Sequence, residues 1–270
     1  MSRLTEIITT RRERIAAAKN AVPRESLARL ASEKRKDASA HRLLRSLSEG
    51  HSVKIIAEFK RCSPSKGIIK GDANLAIIAR QYERGGAAAI SVLTEPDYFN
   101  GSLDDLRHAR TTTALPILRK DFIVDEYQVF ESAAAGADAL LLIVAALDDP
   151  ALRSLRQLTE DDLGMDALVE AHTAEEMQRA IDCGANVIGV NNRNLATFEV
   201  SLDTSIDLAA QAGSEKLLVS ESGIETIEDI NRLQDAGYRG FLIGETLMRS
   251  DDPEALLRKF TQIHDAVTTS

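Results

Sequence analysis

Glutamate and lysine side chains lie at the ends of four short apolar segments of the chain. The segments span about 53–59, 115–119, 166–170 and 216–220, and these side chains are Glu58, Lys60, Lys120, Glu170 and Glu221. Charged residues are rarely buried beside strands unless they form ion pairs or take part in the function of the protein. Lysines close to several glutamates shift one another's pKa values, which suits acid–base catalysis. The alternative interpretation is a ring of structural salt bridges.

Eight apolar runs alternate with helical stretches from residue 53 onward. The predicted strands are 53–59, 88–93, 115–119, 138–144, 166–170, 186–190, 216–220 and 239–243. The helical stretches between them include 73–84, 125–135, 173–182 and 225–236. Continuous apolar runs are typical of strands buried on both faces, and the alternation indicates parallel βαβ units. We therefore predict an α/β fold, a (β/α)8 TIM barrel whose active face lies at the carboxyl ends of the strands.

A glycine precedes every second predicted strand. The four positions are 85–87, 136–138, 184–186 and 237–239. We expect these glycines to end the preceding helix in a left-handed conformation before the chain turns inward. The repeat gives four quarters of two strands each, which favours the barrel and carries no information about function.

The first 50 residues do not follow this repeat. Residues 3–18 place Leu4, Ile7, Ile8, Arg11 and Ile15 at helical spacing, which predicts an amphipathic helix with a basic outer face. Pro23 ends this helix, and a second helical stretch is predicted over about 25–48. We expect residues 1–270 to form one barrel domain, with 1–50 as a helical extension packed on it.

Composition excludes several functional classes. The formal charge of −9 argues against a general nucleic-acid or anionic-membrane binder. The isolated Cys62 and Cys183 support neither a disulfide framework nor a cysteine-rich zinc site. No apolar run approaches the roughly 18 residues of a membrane helix, and the N-terminus lacks the apolar core of a secretory signal. We expect a cytoplasmic protein.

Two glycine-containing turns follow the last two predicted strands, at Ser222-Gly223 and Gly244-Glu245. Barrels of this type commonly bind phosphate there, because backbone N–H groups at glycine turns can hold a dianion. The strand ends also supply Ser63, Arg119, Asp121, His172, Asn191, Asn192 and Arg193. We expect His172 to support the site and the other histidines, His41, His51, His108 and His264, to be solvated.

Five motifs follow one another along the chain: IIAEFKRCSPS at 55–65, LRKDFI at 118–123, LVEAH at 168–172, GVNNRNL at 189–195 and SESGI at 220–224. In this order they resemble the motifs of the indole-3-glycerol phosphate synthase family of tryptophan biosynthesis. The N-terminal extension also resembles the extra helices that cover the substrate mouth in that family. The stretch 71–74 departs from a more proline-rich segment expected after the first motif, and the chain contains no tryptophan.

This resemblance implies a reaction and a set of roles. The substrate would be 1-(2-carboxyphenylamino)-1-deoxyribulose 5-phosphate, which closes to an indole with loss of carbon dioxide and water. Neither a metal nor a redox cofactor is implied. The residues to which the family assigns catalysis are Lys120 (general acid), Glu170 (acid–base group for dehydration), Lys60, Glu58, Asn191 and Glu221. Those to which it assigns substrate or phosphate binding are Ser63, Arg193, Ser222, Gly223, Gly244, and, lining the aromatic pocket, Phe122 and Leu195.

Two other functions compete with this one. The first is another phosphate-handling barrel enzyme, such as a Schiff-base aldolase that uses Lys120. The second is a non-catalytic barrel that binds a sugar phosphate or a protein partner. Fold alone does not separate them. The presence of Lys60, Lys120 and Glu170 in one set of ordered motifs favours the synthase, with transient contacts to other tryptophan-pathway enzymes as a further expectation.

Overall fold

Eight parallel strands close into a barrel in the computed structural model, which describes residues 3–50, 52–194, 197–213 and 215–261. Each strand pairs with its neighbours along the chain, and the first pairs with the last. The strands are β1 (Lys54–Phe59), β2 (Ala89–Leu93), β3 (Ile117–Lys120), β4 (Ala139–Ile143), β5 (Asp166–Ala171), β6 (Val187–Asn191), β7 (Leu217–Glu221) and β8 (Gly240–Ile243). The predicted barrel is confirmed.

Helices connect the strands on the outside of the barrel. Those of the described residues are α1 (Arg3–Ala21), α2 (Arg24–Lys36), α3 (Arg42–Ser48), α4 (Leu75–Arg84), α5 (Pro96–Phe99), α6 (Leu103–Thr112), α7 (Glu126–Ala135), α8 (Asp149–Gln157), α9 (Ala174–Asp182), α10 (Asp203–Ala209), α11 (Ile227–Asp235), α12 (Glu245–Arg249) and α13 (Pro253–Thr261). No helix of this described part is long and apolar enough to cross a membrane. A short hairpin that the sequence did not predict pairs Cys62–Ser63 with Gly67–Ile68 after β1.

Alternate residues of each strand face the barrel interior, because successive side chains of a strand point to opposite faces. In β3, Leu118 belongs to the interior cluster whereas Ile117 packs against the helices. The same alternation holds in the other strands. It places the last inward positions of five strands at the carboxyl end of the barrel, and their residues are Glu58, Lys120, Glu170, Asn191 and Glu221.

The predicted left-handed glycines are present before all four even-numbered strands. Gly136 has φ 95° and Gly237 has φ 104°, which is the backbone region that favours glycine. The corresponding residues of the other two quarters are Gly86 and Gly184. In the first quarter the left-handed residue is the second of the two glycines, since Gly85 is right-handed.

The predicted second helical stretch is wrong in one respect, because it forms two helices, α2 and α3. The break is stabilised from a distant strand: the carboxylate of Asp166 accepts the backbone N–H groups of Leu43 (2.8 Å) and Leu44 (3.1 Å), which begin α3. The same carboxylate lies 3.0 Å from Nδ1 of His41. His41 is therefore a paired residue and not the solvated one that we expected.

The helix α3 closes the amino-terminal end of the barrel, where Leu43 and Leu47 pack into the interior cluster. The helix α2 lies against α7, and Arg24 binds Glu126 there through two hydrogen bonds of 2.5 and 2.8 Å. Tyr127 of α7 donates to the carbonyl oxygens of Ala18 and Val22 at 3.2 Å. The N-terminal helices are thus attached to the barrel by apolar packing of α3 at its amino-terminal end and by hydrogen bonds to the start of α7.

Candidate active site

Lys120 lies between two carboxylates at the carboxyl end of the barrel. Its Nζ is 2.9 Å from Oε2 of Glu170 and 3.0 Å from Oε2 of Glu221. Nearby, Nζ of Lys60 is 2.7 Å from Oε1 of Glu58. Glu170 and Glu221 are almost fully buried, with 2% and 1% of their surface exposed. The structure therefore brings together the predicted lysines and glutamates, which come from the inward faces of four strands and from the loop after β1.

The three groups around Lys120 have strongly shifted pKa values. Burial opposes the charge of Lys120, but Glu170 and Glu221 outweigh it and raise the pKa of the ammonium. Burial also opposes the charge of Glu170, yet Lys120 lowers its pKa to about 2. Burial raises the pKa of Glu221 to about 7, since Lys120 cannot offset both burial and the charge of Glu170. One carboxylate stays ionised while the other is able to hold a proton near neutral pH.

Two glycines make room for this buried group. A Cβ atom on Gly189 of β6 would lie 2.2 Å from Oε1 of Glu221. A Cβ atom on Gly244 would lie 2.3 Å from Oε1 of Glu58. Both distances are too short for any real contact, so the carboxylates occupy space that only glycine leaves free. Gly189, the glycine of the GVNNRNL motif, therefore leaves the space that the carboxylate of Glu221 occupies.

The charged group lies at the base of a cavity of about 520 Å3 at the mouth of the barrel. One wall is apolar, where Phe99 and Phe122 have ring centroids 6.5 Å apart. Leu4 and Ile7 of α1 line the same cavity, so the N-terminal helix forms part of its wall. A planar aromatic group and a charged group can be bound in it side by side.

The opposite rim of the cavity carries the predicted phosphate-binding residues. Ser222 and Gly223 both have left-handed backbones, with φ of 69° and 80°. Arg193 donates from Nη1 to the hydroxyl of Ser65 at 3.3 Å. The rim is completed by the other predicted binding residues, Ser63 and Gly244. A polar rim with glycine turns and a guanidinium is suited to an anionic group.

Glu245 is a charge that the sequence interpretation did not weigh at this rim. Glu245 is the first residue of α12. Its carboxylate lies 3.1 Å from Nε of Arg249, 3.7 Å from Nζ of Lys66 and 3.9 Å from Nη2 of Arg193. Three cations from three segments therefore converge on one carboxylate beside the predicted phosphate position.

Two strand-end residues that we collected from the sequence face away from the cavity. Arg119 points outward and is 3.0 Å from Asp121 and 2.8 Å from Glu131. Asn192 is also outward and buried, and its amide donates to Ser220 and to the carbonyl oxygen of Ser222, both at 3.0 Å. The expectation that they converge with the other strand-end residues is therefore wrong for both, because each is one residue away from the inward position of its strand. Leu195 lies outside the residues that the structure describes.

Arg11 is the contact that the sequence interpretation missed. It does not belong to a basic outer face, because its guanidinium forms an ion pair with the buried carboxylate of Asp121, which follows Lys120 in the chain. The available signal was its spacing, since Arg11 is four residues from both Ile7 and Ile15, which are buried. The helix α1 is thereby bound to the loop that follows Lys120.

Comparison with known proteins decides the family. The family model described as indole-3-glycerol phosphate synthase matches residues 4–260. This chain belongs to that family. The indole-3-glycerol phosphate synthase of Polaromonas naphthalenivorans is 46% identical over 261 residues, covering 94% of this chain and 96% of the relative. That of Laribacter hongkongensis is 49% identical over 257 residues, covering 94% and 97%.

Solved structures extend the likeness of fold beyond this family. The 3-hexulose-6-phosphate synthase of Salmonella typhimurium superposes with a TM-score of 0.63 over 78% of this chain and 97% of its own, at 14% identity. The thiamine phosphate pyrophosphorylase of Pyrococcus furiosus gives 0.61 over 83% and 98%, at 16% identity. At these identities the likeness shows the barrel fold alone.

Within the described residues, no group of three or more His, Cys, Asp or Glu side chains could hold a metal ion.

Proposed function

We propose that this chain converts 1-(2-carboxyphenylamino)-1-deoxyribulose 5-phosphate into indole-3-glycerol phosphate, carbon dioxide and water, as a step of tryptophan biosynthesis. The observation that carries the proposal is the position of the Lys120 ammonium, 2.9 and 3.0 Å from two buried carboxylates at the base of the cavity. Family membership supports the substrate, and the cavity has an apolar wall for its ring and a polar rim for its phosphate.

In the first step the ring carbon that bears the carboxylate attacks the C2′ carbonyl carbon. A bond forms between the two carbons, and the carbonyl oxygen takes a proton from Lys120. Because this charge develops only as the bond forms, a positioned ammonium stabilises the transition state more than the ground state. The carboxylate then leaves as carbon dioxide, and the electron pair of its bond returns to the ring.

In the second step the new hydroxyl leaves as water. A proton is removed from the carbon next to the ring nitrogen, and its electrons form the double bond of the indole while a proton goes to the departing hydroxyl. We assign the base to Glu170, whose pKa rises once Lys120 turns from it to the substrate oxygen. Glu221 can return a proton, because its pKa is about 7.

The remaining polar residues are proposed to orient the substrate. Lys60, paired with Glu58 at 2.7 Å, would meet the substrate carboxylate. Asn191 accepts the backbone N–H of Arg193 at 3.0 Å, so its amide N–H groups remain for a substrate hydroxyl. The phosphate would lie against Ser222, Gly223 and Gly244, with Ser63 and Arg193 beside it. The ring would pack against Phe122, together with Leu195.

The organisation of the protein is also proposed. Residues 1–270 would act as one barrel domain with 1–50 as its extension, because α1 lines the cavity that the barrel opens. The protein would work in the cytoplasm and make transient contacts with other enzymes of the pathway.

The test is incubation with the anthranilate-ribulose phosphate while indole fluorescence and carbon dioxide release are followed. We expect both products in equal amounts, and formation of both about 100-fold slower or more in the Lys120→Ala variant. Borohydride added with a ketose phosphate separates the Schiff-base aldolase, since the synthase forms no covalent adduct. An adduct on Lys120, or absence of indole with purified substrate, would contradict the proposal.

A further inference from the structure

The imidazole of His172 lies between two carboxylates on the side of Glu170 that faces away from Lys120. Its Nδ1 is 3.3 Å from Oε2 of Glu176, and its Nε2 is 3.6 Å from Oε1 of Glu170. The side chain is 11% exposed, and Nε2 has no hydrogen-bond partner among the residues that the structure describes. Glu170 is therefore flanked by Lys120 on one oxygen and by His172 on the other.

The start of α9 fixes this arrangement. The hydroxyl of Thr173 accepts the backbone N–H of Glu176 at 3.2 Å, and the carboxylate of Glu176 accepts the backbone N–H of His172 at 2.7 Å. Each residue thus satisfies a free N–H group at the helix start. Because the carboxylate is already held against the backbone of His172, it also orients the imidazole of the same residue.

The charges around the imidazole favour its protonated form. Burial alone would lower the pKa of His172, but Glu176 and Glu170 outweigh burial and raise it. Glu221 adds to this from β7, and Lys120 of β3 carries the positive charge nearest to Glu170. The charge of Glu58, from β1, also raises the pKa of Lys120. These ionisable groups come from α9, β1, β3 and β7, whereas β4 and β6, the strands that pair with β5, place Ile143 and Gly189 beside Glu170.

We propose that His172, oriented by Glu176, is a positioning residue that keeps Glu170 ionised and correctly turned for the dehydration step. The inference rests on the proposed function of Glu170. When Lys120 turns to the substrate oxygen, Glu170 loses its nearer cation. His172 is then the remaining positive charge beside it, and this charge decides how much of Glu170 is available as a base at a given pH.

The test is the pH dependence of single-turnover indole formation, between about pH 5.5 and 9, in the wild type and four variants. His172→Asn removes the charge. His172→Gln also removes the charge, but its longer side chain can bring an amide N–H donor closer to Glu170 than that of asparagine. Glu176→Gln still accepts the backbone N–H of His172 but lowers the pKa of the imidazole. Glu175→Gln, at an exposed neighbour on the same turn of α9, is the matched control.

We expect His172→Asn to lose about tenfold in rate at the acid end, the effect of one pKa unit on Glu170, and to approach the wild-type rate at the alkaline end. KM should stay near the wild-type value, because His172 does not line the cavity. His172→Gln should recover part of the loss but keep the shifted acid limb. In Glu176→Gln the imidazole should lose its proton at a lower pH than in the wild type. The rate of this variant should therefore fall below the wild-type rate in the pH range where only the wild-type imidazole is still charged. A loss that is equal at every pH would mean a merely structural role and would overturn the inference.

An NMR titration of the imidazole provides a readout that needs no turnover. The His172 resonance is assigned by its absence from His172→Asn, and its pKa should fall in Glu170→Gln and in Glu176→Gln but not in Glu175→Gln. An unchanged pKa in Glu170→Gln would contradict the pairing even if every variant were active. An inactive wild type with an intact titration coupling would instead refute the proposed function, so the two failures are distinguishable.

Discussion

The carboxylate of Glu221 occupies the space that a side chain on Gly189 would fill, since a Cβ atom there would lie 2.2 Å from Oε1. Gly189 and Glu221 are on neighbouring strands, both at inward positions. The buried carboxylate at the end of β7, beside Lys120, therefore depends on the absence of a side chain in the middle of β6. This relationship makes a glycine in a regular strand part of the charged site.

We predict that Gly189→Ala lowers turnover at least about 100-fold and destabilises the fold by roughly 1–3 kcal/mol, because overpacking displaces Glu221 from Lys120. Thermal unfolding and indole fluorescence measure the two effects. In the double variant Gly189→Ala with Glu221→Ala, stability should recover while activity stays low. Stability losses that simply add would show that the two residues do not compete for the same space.

We predict that Lys120→Ala lowers the single-turnover rate about 100-fold or more while substrate affinity changes little. The ammonium is needed most when the carbonyl oxygen becomes anionic, which is an interaction of the transition state. Lys34→Ala, at an exposed position of α2, is the control for loss of a lysine charge. An unchanged rate constant would remove Lys120 from the mechanism.

The strands could be predicted from the sequence because each is an apolar run buried on both faces, and every observed end lies within two residues of its prediction. The same property hides which alternate residues face inward. Ile117 and Leu118 are equally apolar, so the sequence could not show that the side chain of Lys120 points into the barrel and that of Arg119 points outward. Only the closure of the sheet decides that choice.

Contacts between distant segments were the other part that sequence patterns could not supply. The start of α3 is capped by Asp166, whose carboxylate comes from β5, so the local sequence around His41 looked like a continuous helix. Arg11 pairs with Asp121 across 110 positions of the chain. The spacing of Arg11 from Ile7 and Ile15 is compatible with the buried face, but local periodicity could not provide the partner that makes such burial favourable.

We predict that Arg11→Ala destabilises the protein by about 1–3 kcal/mol and lowers activity, because it leaves the buried carboxylate of Asp121 with fewer partners and releases α1 from the loop after Lys120. Arg12→Ala, at an exposed position of the same helix, should change neither property. Urea unfolding measures the first effect. Equal stability of the two variants would show that the Arg11 ion pair contributes nothing.

We predict that inorganic phosphate binds between Ser222-Gly223 and Gly244, and that Glu245→Gln tightens this binding by roughly fivefold. The carboxylate of Glu245 repels the dianion and holds Lys66, Arg193 and Arg249, so the amide should free those cations at a gain of about 1 kcal/mol. Calorimetric titration measures the affinity, with Glu228→Gln as an exposed control. A soaked crystal with its main anion elsewhere on the rim would contradict the position.

We predict that Glu170→Gln slows dehydration more than ring closure. During ring closure the carbonyl oxygen needs a proton, which Lys120 can still give in the variant. Dehydration also needs a proton to be taken from the intermediate, and a glutamine cannot accept it. The amide has nearly the same shape as the carboxylate, so the packing around Lys120 and Glu221 should survive, and substrate affinity should be retained.

The variant should therefore accumulate an intermediate that has already lost carbon dioxide. Rapid-quench analysis measures this directly, because carbon dioxide release should run ahead of indole formation in Glu170→Gln and keep pace with it in the wild type. If both products slow equally and no intermediate appears, Glu170 acts before or during ring closure. The two carboxylates would then exchange roles, and Glu221, whose pKa of about 7 already suits proton transfer near neutral pH, would be the base for dehydration.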